Sequence, residues 1–219
     1  MEKILTAFSN QFSMVAKNPN ATRSTAITLE LHSEIHSIVE ALVGSGYQVF
    51  SQKNKEASVQ GAFLSKKADI AIFKNGKAVG VIEVKAIRSS YKKNATNYFY
   101  NMLGETANLQ TAGIPVCQVI LIPSIVKTVN AGVASQEVIG DSQLEKYRTL
   151  ENSENNFSKP KRMIVSVVDV DYDSENFECK FSKLDGFNDE LKEFLTQSGS
   201  NVITSIEDFV RTEVLVQKK

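Results

Sequence analysis

One segment, AVGVIEVKAI at residues 78–87, limits what this chain can fold into more than any other. Read with a period of two, one face of this segment is wholly apolar, and the other is apolar apart from Glu83 and Lys85. Apolar residues on both faces are typical of a strand that is covered on both sides. Because charged side chains are almost never buried without partners, Glu83 and Lys85 need a third group, and a metal ion is a natural one.

Two further Glu-x-Lys copies serve as internal controls, at residues 178–180 and 190–192. In the first, charged residues alternate with apolar ones, which indicates the solvent side of a half-buried strand. The second lies on an amphipathic helical pattern. Only the copy at residues 83–85 places its charges where water is scarce.

Asp69 opens the preceding strand-like segment, ADIAIF, and Asn75-Gly76 between the two apolar runs is a strong hairpin signal. With a two-residue turn and no later bulge, Asp69 would point away from Glu83. With a three-residue loop over residues 74–76, Asp69 falls opposite Val81 and shares a face with Glu83. We predict this second register.

Two carboxylates on one face, Asp69 and Glu83, suit Mg²⁺, a hard cation that takes oxygen ligands and keeps several waters. A lysine beside them, Lys85, would orient or deprotonate one of those waters and stabilise a phosphorane-like charge. The three residues together therefore predict phosphodiester hydrolysis. A buried structural ion triad is the alternative.

Asp69, followed by Glu83-Val84-Lys85 in an adjacent buried strand, resembles the signature of PD-(D/E)xK nucleases. The predicted order of elements over about residues 25–124 (helix, three strands, helix, strand) is similar to the core of that superfamily. The stretch KKNATNYFYNMLGETANLQTAGIPVCQVILIP further resembles type II restriction endonucleases. The resemblance implies an α/β fold with a restriction-endonuclease-like core, in which helices flank a central mixed sheet.

The same resemblance implies roles for individual residues. Asp69 and Glu83 would bind Mg²⁺ together with the Val84 backbone carbonyl, and Lys85 would be the catalytic lysine. The implied function is site-specific cleavage of double-stranded DNA by a homodimer, as in type II restriction enzymes. The alternatives are another nuclease of the superfamily (a repair enzyme, resolvase or toxin) or a non-catalytic DNA-binding module on the same fold.

The helix predicted over residues 25–43 carries further candidates. Its apolar stripe spans about 80°, with Glu34 about 20° and Glu30 about 60° outside it. We therefore expect Glu34 to be the additional metal ligand if there is one, with Glu30 in reserve. His32 and His36 fall opposite the stripe, and we expect both on the surface.

Arg88, Lys92 and Lys93 directly follow the strand that carries Glu83. They are candidates for contacts with DNA phosphates, which position a duplex without reading its sequence. A solvated loop is the alternative.

The rest of the chain predicts a soluble protein. Lysine plus arginine and aspartate plus glutamate number 25 each, so no global field attracts nucleic acid, although a local basic groove is compatible with this balance. No apolar run approaches the ~18 residues of a membrane span, and the N-terminus lacks the apolar region of a signal peptide. We therefore expect a cytoplasmic protein without membrane contact. Cys117 and Cys179 lie in strand-like stretches and are expected to be buried thiols.

We expect one nuclease domain over residues 1–219, beginning with a helix near residues 2–17. Beyond the core, residues 125–161 are polar, and their stretch from 130 to 160 lacks clear periodicity, which indicates a mobile loop or insertion. Residues 162–219 predict a strand pair and two helices. The stretch from 130 to 160 and the loop near residues 18–24 are the candidates for reading bases.

Overall fold

The computed structural model describes residues 2–17, 26–130, 133–154, 156–199 and 201–216. They form an α/β fold built on a six-stranded mixed sheet. The helices are α1 (Glu2–Lys17), α2 (Ala26–Val43), α3 (Tyr91–Thr111), α4 (Asp141–Asn152), α5 (Asp189–Gly199) and α6 (Val202–Phe209), which a π-helical turn (Val210–Val214) continues. The strands are β1 (Gln48–Ser51), β2 (Ser58–Gln60), β3 (Ser65–Lys67), β4 (Ile70–Lys74), β5 (Lys77–Ala86), β6 (Val116–Pro123), β7 (Ile125–Asn130), β8 (Val133–Val138), β9 (Arg162–Val170) and β10 (Cys179–Phe181).

The main sheet has the strand order β1-β4-β5-β6-β9-β10. Its three central strands, β5, β6 and β9, are parallel, and the pairs nearer each edge are antiparallel. All eight residues of β6 are buried, because a central parallel strand is covered on both faces. Two small hairpins, β2–β3 and β7–β8, lie outside this sheet.

Helices cover both faces of the sheet. On one face, apolar residues of α1, α2 and α6 pack against alternate side chains of the strands, among them Ile70, Ile72 and Ile82. On the other face, the core is divided between α3, α4 and α5. Ala71 and Val81 belong to this second face, so the charged residues that share their strand parity also point toward α3.

The turn between β4 and β5 differs from the predicted three-residue loop. Lys74 pairs with Lys77 across a two-residue turn. Asn75 and Gly76 both have positive φ, 51° and 75°, which is the conformation that a type I′ turn requires. The predicted loop is therefore wrong.

A β-bulge nevertheless returns Asp69 to the face of Glu83. The register shifts after the turn, so that Val79 is an extra residue of β5 and Ile70 lies opposite Ile82. Continuing this register by one position places Asp69 opposite Glu83. The shared face that we predicted exists, but the bulge produces it and the turn does not.

The segment expected to be a mobile loop is largely structured. It contains the β7–β8 hairpin and helix α4, which buries Leu144, Tyr147 and Leu150. Three apolar residues at a spacing of three form a narrow stripe in a polar helix, which is a weak periodic signal. The loop near residues 18–24, which we considered for reading bases, lies outside the described residues.

The predicted thiols are both free, with Cys117 buried in β6 and Cys179 partly buried in β10. Among the helices described, none combines the length and the apolar character needed to cross a membrane.

Candidate active site

A cavity of about 250 Å³ opens between the α3 face of the sheet and α3 itself. It brings together the three residues that the sequence singled out, Asp69, Glu83 and Lys85. The remaining lining residues come from β3, β5, β6, α3 and α4; they are Lys66, Val84, Tyr98, Asn101, Met102, Glu105, Gln118, Ile120 and Tyr147.

Asp69 lies immediately before β4 and is tied to the neighbouring strand. Its Oδ2 accepts a hydrogen bond from the backbone N–H of Val84, at 2.8 Å. This bond orients the carboxylate across β5, beside Glu83. Val84 itself also lines the cavity.

Glu83 is a buried carboxylate with one unpaired oxygen. The residue is 5% exposed, and its Oε1 has no hydrogen-bond partner within the described chain. Burial raises the pKa of Glu83 well above its ordinary value, the nearby Asp69 raises it further, and Lys66 opposes both. A buried carboxyl group beside a second carboxylate is stabilised in its charged form by a cation.

Lys66 on β3 supplies such a charge and was not predicted from the sequence. Its Nζ lies 3.1 Å from Oε2 of Glu83 and 3.1 Å from Oε1 of Glu105. Burial alone would lower the pKa of Lys66, but the two glutamates outweigh it, so the pKa is raised and the amine remains protonated. A helical stripe offered a signal for Glu105, because Tyr98, Met102 and Glu105 follow the spacing i, i+4, i+7 on α3.

Lys85 lies at the rim of the cavity. Solvent reaches its side chain, and its Nζ lies over the Tyr98 ring, 4.3 Å from the centroid. In the part of the chain that the structure describes, no carboxylate oxygen lies within ion-pair distance of this ammonium. Desolvation lowers the pKa of Lys85, and the charge of Asp69 partly opposes this shift.

The three basic residues considered for phosphate contacts have different surroundings. Arg88 is half-buried, and its Nη1 donates a hydrogen bond to Oε1 of Gln11, at 2.8 Å. Lys92 and Lys93 are exposed in the first turn of α3, where the backbone N–H of Lys92 donates to Glu137. The two lysines are therefore accessible to an anion, whereas Arg88 has a protein partner.

The glutamates of α2 do not line the cavity. Glu34 is half-buried. Glu30 accepts hydrogen bonds from Nδ2 of Asn10, at 2.9 Å to each carboxylate oxygen. The structure therefore does not bring Glu34 or Glu30 together with Asp69 and Glu83.

The expectation that His32 and His36 lie on the surface is wrong, since they are 4% and 2% exposed. The buried arc of α2 spans about 180° and extends to the histidine side, because α1, α6 and β1 all pack against this helix. Nδ1 of His36 is hydrogen-bonded to Oγ of Ser51, at 2.9 Å. Burial lowers the pKa of His32, with the charge of Asp69 opposing this shift.

The donor set fits a hard divalent cation. Asp69 and Glu83 offer carboxylate oxygens on one face, and one oxygen of Glu83 is buried without a partner among the described residues. No cluster of three or more His, Cys, Asp and Glu side chains suited to a metal occurs in those residues. A cation bound here would therefore take its remaining ligands from water, from the backbone or after a side-chain movement.

Comparison of the chain with protein-family models, with curated proteins and with solved structures gives no match.

Proposed function

We propose that this chain is a Mg²⁺-dependent endonuclease that hydrolyses phosphodiester bonds in double-stranded DNA. The observation that carries this proposal is the cavity in which Asp69 and Glu83 share one face, Lys85 lies at the rim, and Glu83 is buried with an unpaired oxygen. This residue set also resembles the PD-(D/E)xK signature, and the mixed sheet flanked by helices is compatible with a restriction-endonuclease-like core.

Each residue has a role that follows from its position. Asp69 and Glu83, with the Val84 carbonyl, would hold Mg²⁺, which when bound polarises a phosphoryl oxygen and lowers the pKa of a water ligand. The bond from the Val84 N–H fixes the direction of the Asp69 carboxylate before a metal binds. Lys85 has a lowered pKa and reaches the rim of the cavity, which suits a group that orients or deprotonates a water.

Lys92 and Lys93 extend this proposal toward DNA. They lie in the first turn of α3, where the helix dipole favours an anion such as phosphate. Cutting both strands at a palindrome usually requires two active sites, so the type II restriction activity that we propose implies a homodimer.

One observation favours a non-catalytic DNA-binding module on the same fold. Lys66 already pairs with Glu83 without a metal, as in a structural ion network. Such a module would bind DNA equally well in Mg²⁺ and in EDTA and would leave it uncut.

The test is a cleavage assay on unmethylated phage DNA with Mg²⁺ or EDTA. It compares the wild-type protein with Glu83→Ala and with Glu178→Ala, which removes the exposed glutamate of another Glu-x-Lys copy. We expect discrete fragments from the wild type and from Glu178→Ala in Mg²⁺, and none from Glu83→Ala or in EDTA.

Other outcomes would redirect the proposal. Nicking or a smear that Glu83→Ala abolishes would keep the nuclease and remove it from the restriction class. Intact DNA with every protein, also on single-stranded and branched substrates, would contradict the nuclease and support the binding module.

A further inference from the structure

The Lys66 ammonium lies between two carboxylates of the candidate site. It is 3.1 Å from Glu83 and 3.1 Å from Glu105, and its side chain is only 20% exposed. Its neighbour Lys67 lies on the opposite side of β3 and is exposed. The cation nearest to Glu83 is thus an ammonium group of the chain itself.

The β2–β3 hairpin places Lys66 in this position. Val59 and Lys66 face each other in the hairpin register, and Val59 is buried in the core beneath α3. The hairpin tip is hydrogen-bonded to Asn108 on α3, one turn after Glu105. The backbone that carries Lys66 is therefore anchored to the helix that carries one of its partners.

The same charges that hold Lys66 would attract a divalent cation. Glu83 lies beside Asp69 and Glu105, and both of these neighbours raise its pKa, whereas Lys66 lowers it. An ammonium hydrogen-bonded to Oε2 of Glu83 takes a lone pair that a metal would use. Lys66 and a metal therefore require the same carboxylates.

We propose that Lys66 and a divalent cation compete for Glu83 and Glu105, so that Glu105 becomes a third carboxylate of the metal site when the cation displaces Lys66. This inference rests on the proposed function, because it concerns the metal of the same cavity. It assigns a metal-binding role to Glu105 and makes Lys66 the residue that sets the metal affinity.

Isothermal titration with Mn²⁺ tests the competition on the full-length chain. We expect Lys66→Met to bind Mn²⁺ about tenfold more tightly than the wild type, the factor that corresponds to loss of one hydrogen bond to a charged group. Glu105→Gln should bind about tenfold more weakly for the same reason. Lys67→Met is the matched control, and its affinity should equal that of the wild type.

Unchanged or weaker binding by Lys66→Met, with normal binding by the wild type, would overturn the competition and leave the proposed metal site standing. Unchanged binding by Glu105→Gln would remove Glu105 from that site. Absence of Mn²⁺ binding by every protein would contradict the competition and the metal-dependent function together. Binding by Lys66→Met alone would support the competition in its strongest form.

Lysine acetylation of the wild-type protein tests the same idea without a substitution. With mass-spectrometric detection, Lys66 should react slowly in EDTA and several-fold faster in saturating Mn²⁺, because displacement frees its amine. Lys67 should react at the same rate in both. Equal protection of Lys66 with and without bound Mn²⁺ would overturn the proposal even if Lys66→Met fails to fold.

Discussion

Asn108 on α3 ties down the tip of the β2–β3 hairpin through three hydrogen bonds. Its Oδ1 accepts hydrogen bonds from the backbone N–H groups of Phe63 (2.9 Å) and Leu64 (3.1 Å), and its Nδ2 donates to the carbonyl of Leu64 (2.9 Å). Each such bond contributes a net of about 0.5–1.5 kcal/mol. Because the tip is exposed and water replaces part of the loss, we expect Asn108→Ala to lower the free energy of unfolding by about 2 kcal/mol.

Gly61 provides a second substitution that acts on the same contact. A Cβ at Gly61 would lie 2.2–2.7 Å from Nδ2, Cγ and Oδ1 of Asn108. These atoms are held by the three hydrogen bonds and cannot move away freely, so Gly61→Ala should cost about 1–3 kcal/mol. In the Asn108→Ala background the clashing atoms are absent, and the same substitution should cost much less.

Urea denaturation of the wild type, the two single variants and the double variant measures this coupling. We expect the double variant to be at least 1 kcal/mol more stable than the sum of the single effects predicts, as for residues in direct contact. Asn97→Ala, on an exposed position of α3, is the control and should change stability by less than about 0.5 kcal/mol. Additivity within about 0.5 kcal/mol would refute the proposed packing of Gly61 on Asn108.

Three further predictions concern the sheet and its site. In EDTA, Glu83→Gln should gain stability relative to the wild type as the pH rises above 4.5, because a pKa that is raised in the folded state makes the wild type easier to unfold once Glu83 ionises. Urea denaturation at several pH values measures this difference, which should be absent below pH 4.5. Gly80→Ala should lower the melting temperature and Val214→Ala should relieve that loss, since a Cβ at Gly80 would lie 2.6 Å from Cγ2 of Val214. Cys117 and Cys179 should react with a thiol reagent at pH 8 only in urea, because burial raises the pKa of both and brings that of Cys179 to about 12.

The central strand was predictable because its evidence is local. Apolar residues on both faces of the segment around Glu83 indicate a covered strand whatever surrounds it, and β5 is buried through its middle. The turn register was not predictable in the same way, since the bulge at Val79 adds a residue after the turn. Gly80 was the signal beside it, because glycine inside a strand often marks a bulge or a close backbone approach. Here the approach comes from Val214, more than a hundred residues away.

The histidines of α2 show the limit of a single apolar stripe. The stripe describes only contacts made by apolar side chains, and it treats the rest of the helix as facing water. His32 and His36 are buried because α1 and β1, whose positions the helix sequence does not reveal, cover a second side of α2. Because the buried arc extends from the apolar stripe toward the histidines, Glu34 lies at the opposite margin of this arc, although it is next to the stripe around the helix axis.

Two charged residues of the cavity, Lys66 and Glu105, were not predicted from the sequence. The Glu-x-Lys strand alone carries one negative and one positive side chain, so its net charge is zero. Asp69 was already predicted from the sequence, and the fold adds one carboxylate from α3 and one ammonium from a hairpin. The acidic and basic residues of the cavity are then Asp69, Glu83, Glu105, Lys66 and Lys85. When all five are ionised, three acidic and two basic groups leave one excess negative charge in a partly desolvated space, where unbalanced charge is unfavourable. A divalent cation that displaces Lys66 adds one positive charge and brings this sum to zero, which makes the Mn²⁺ affinity of Lys66→Met the most direct measure of the charge balance in the cavity.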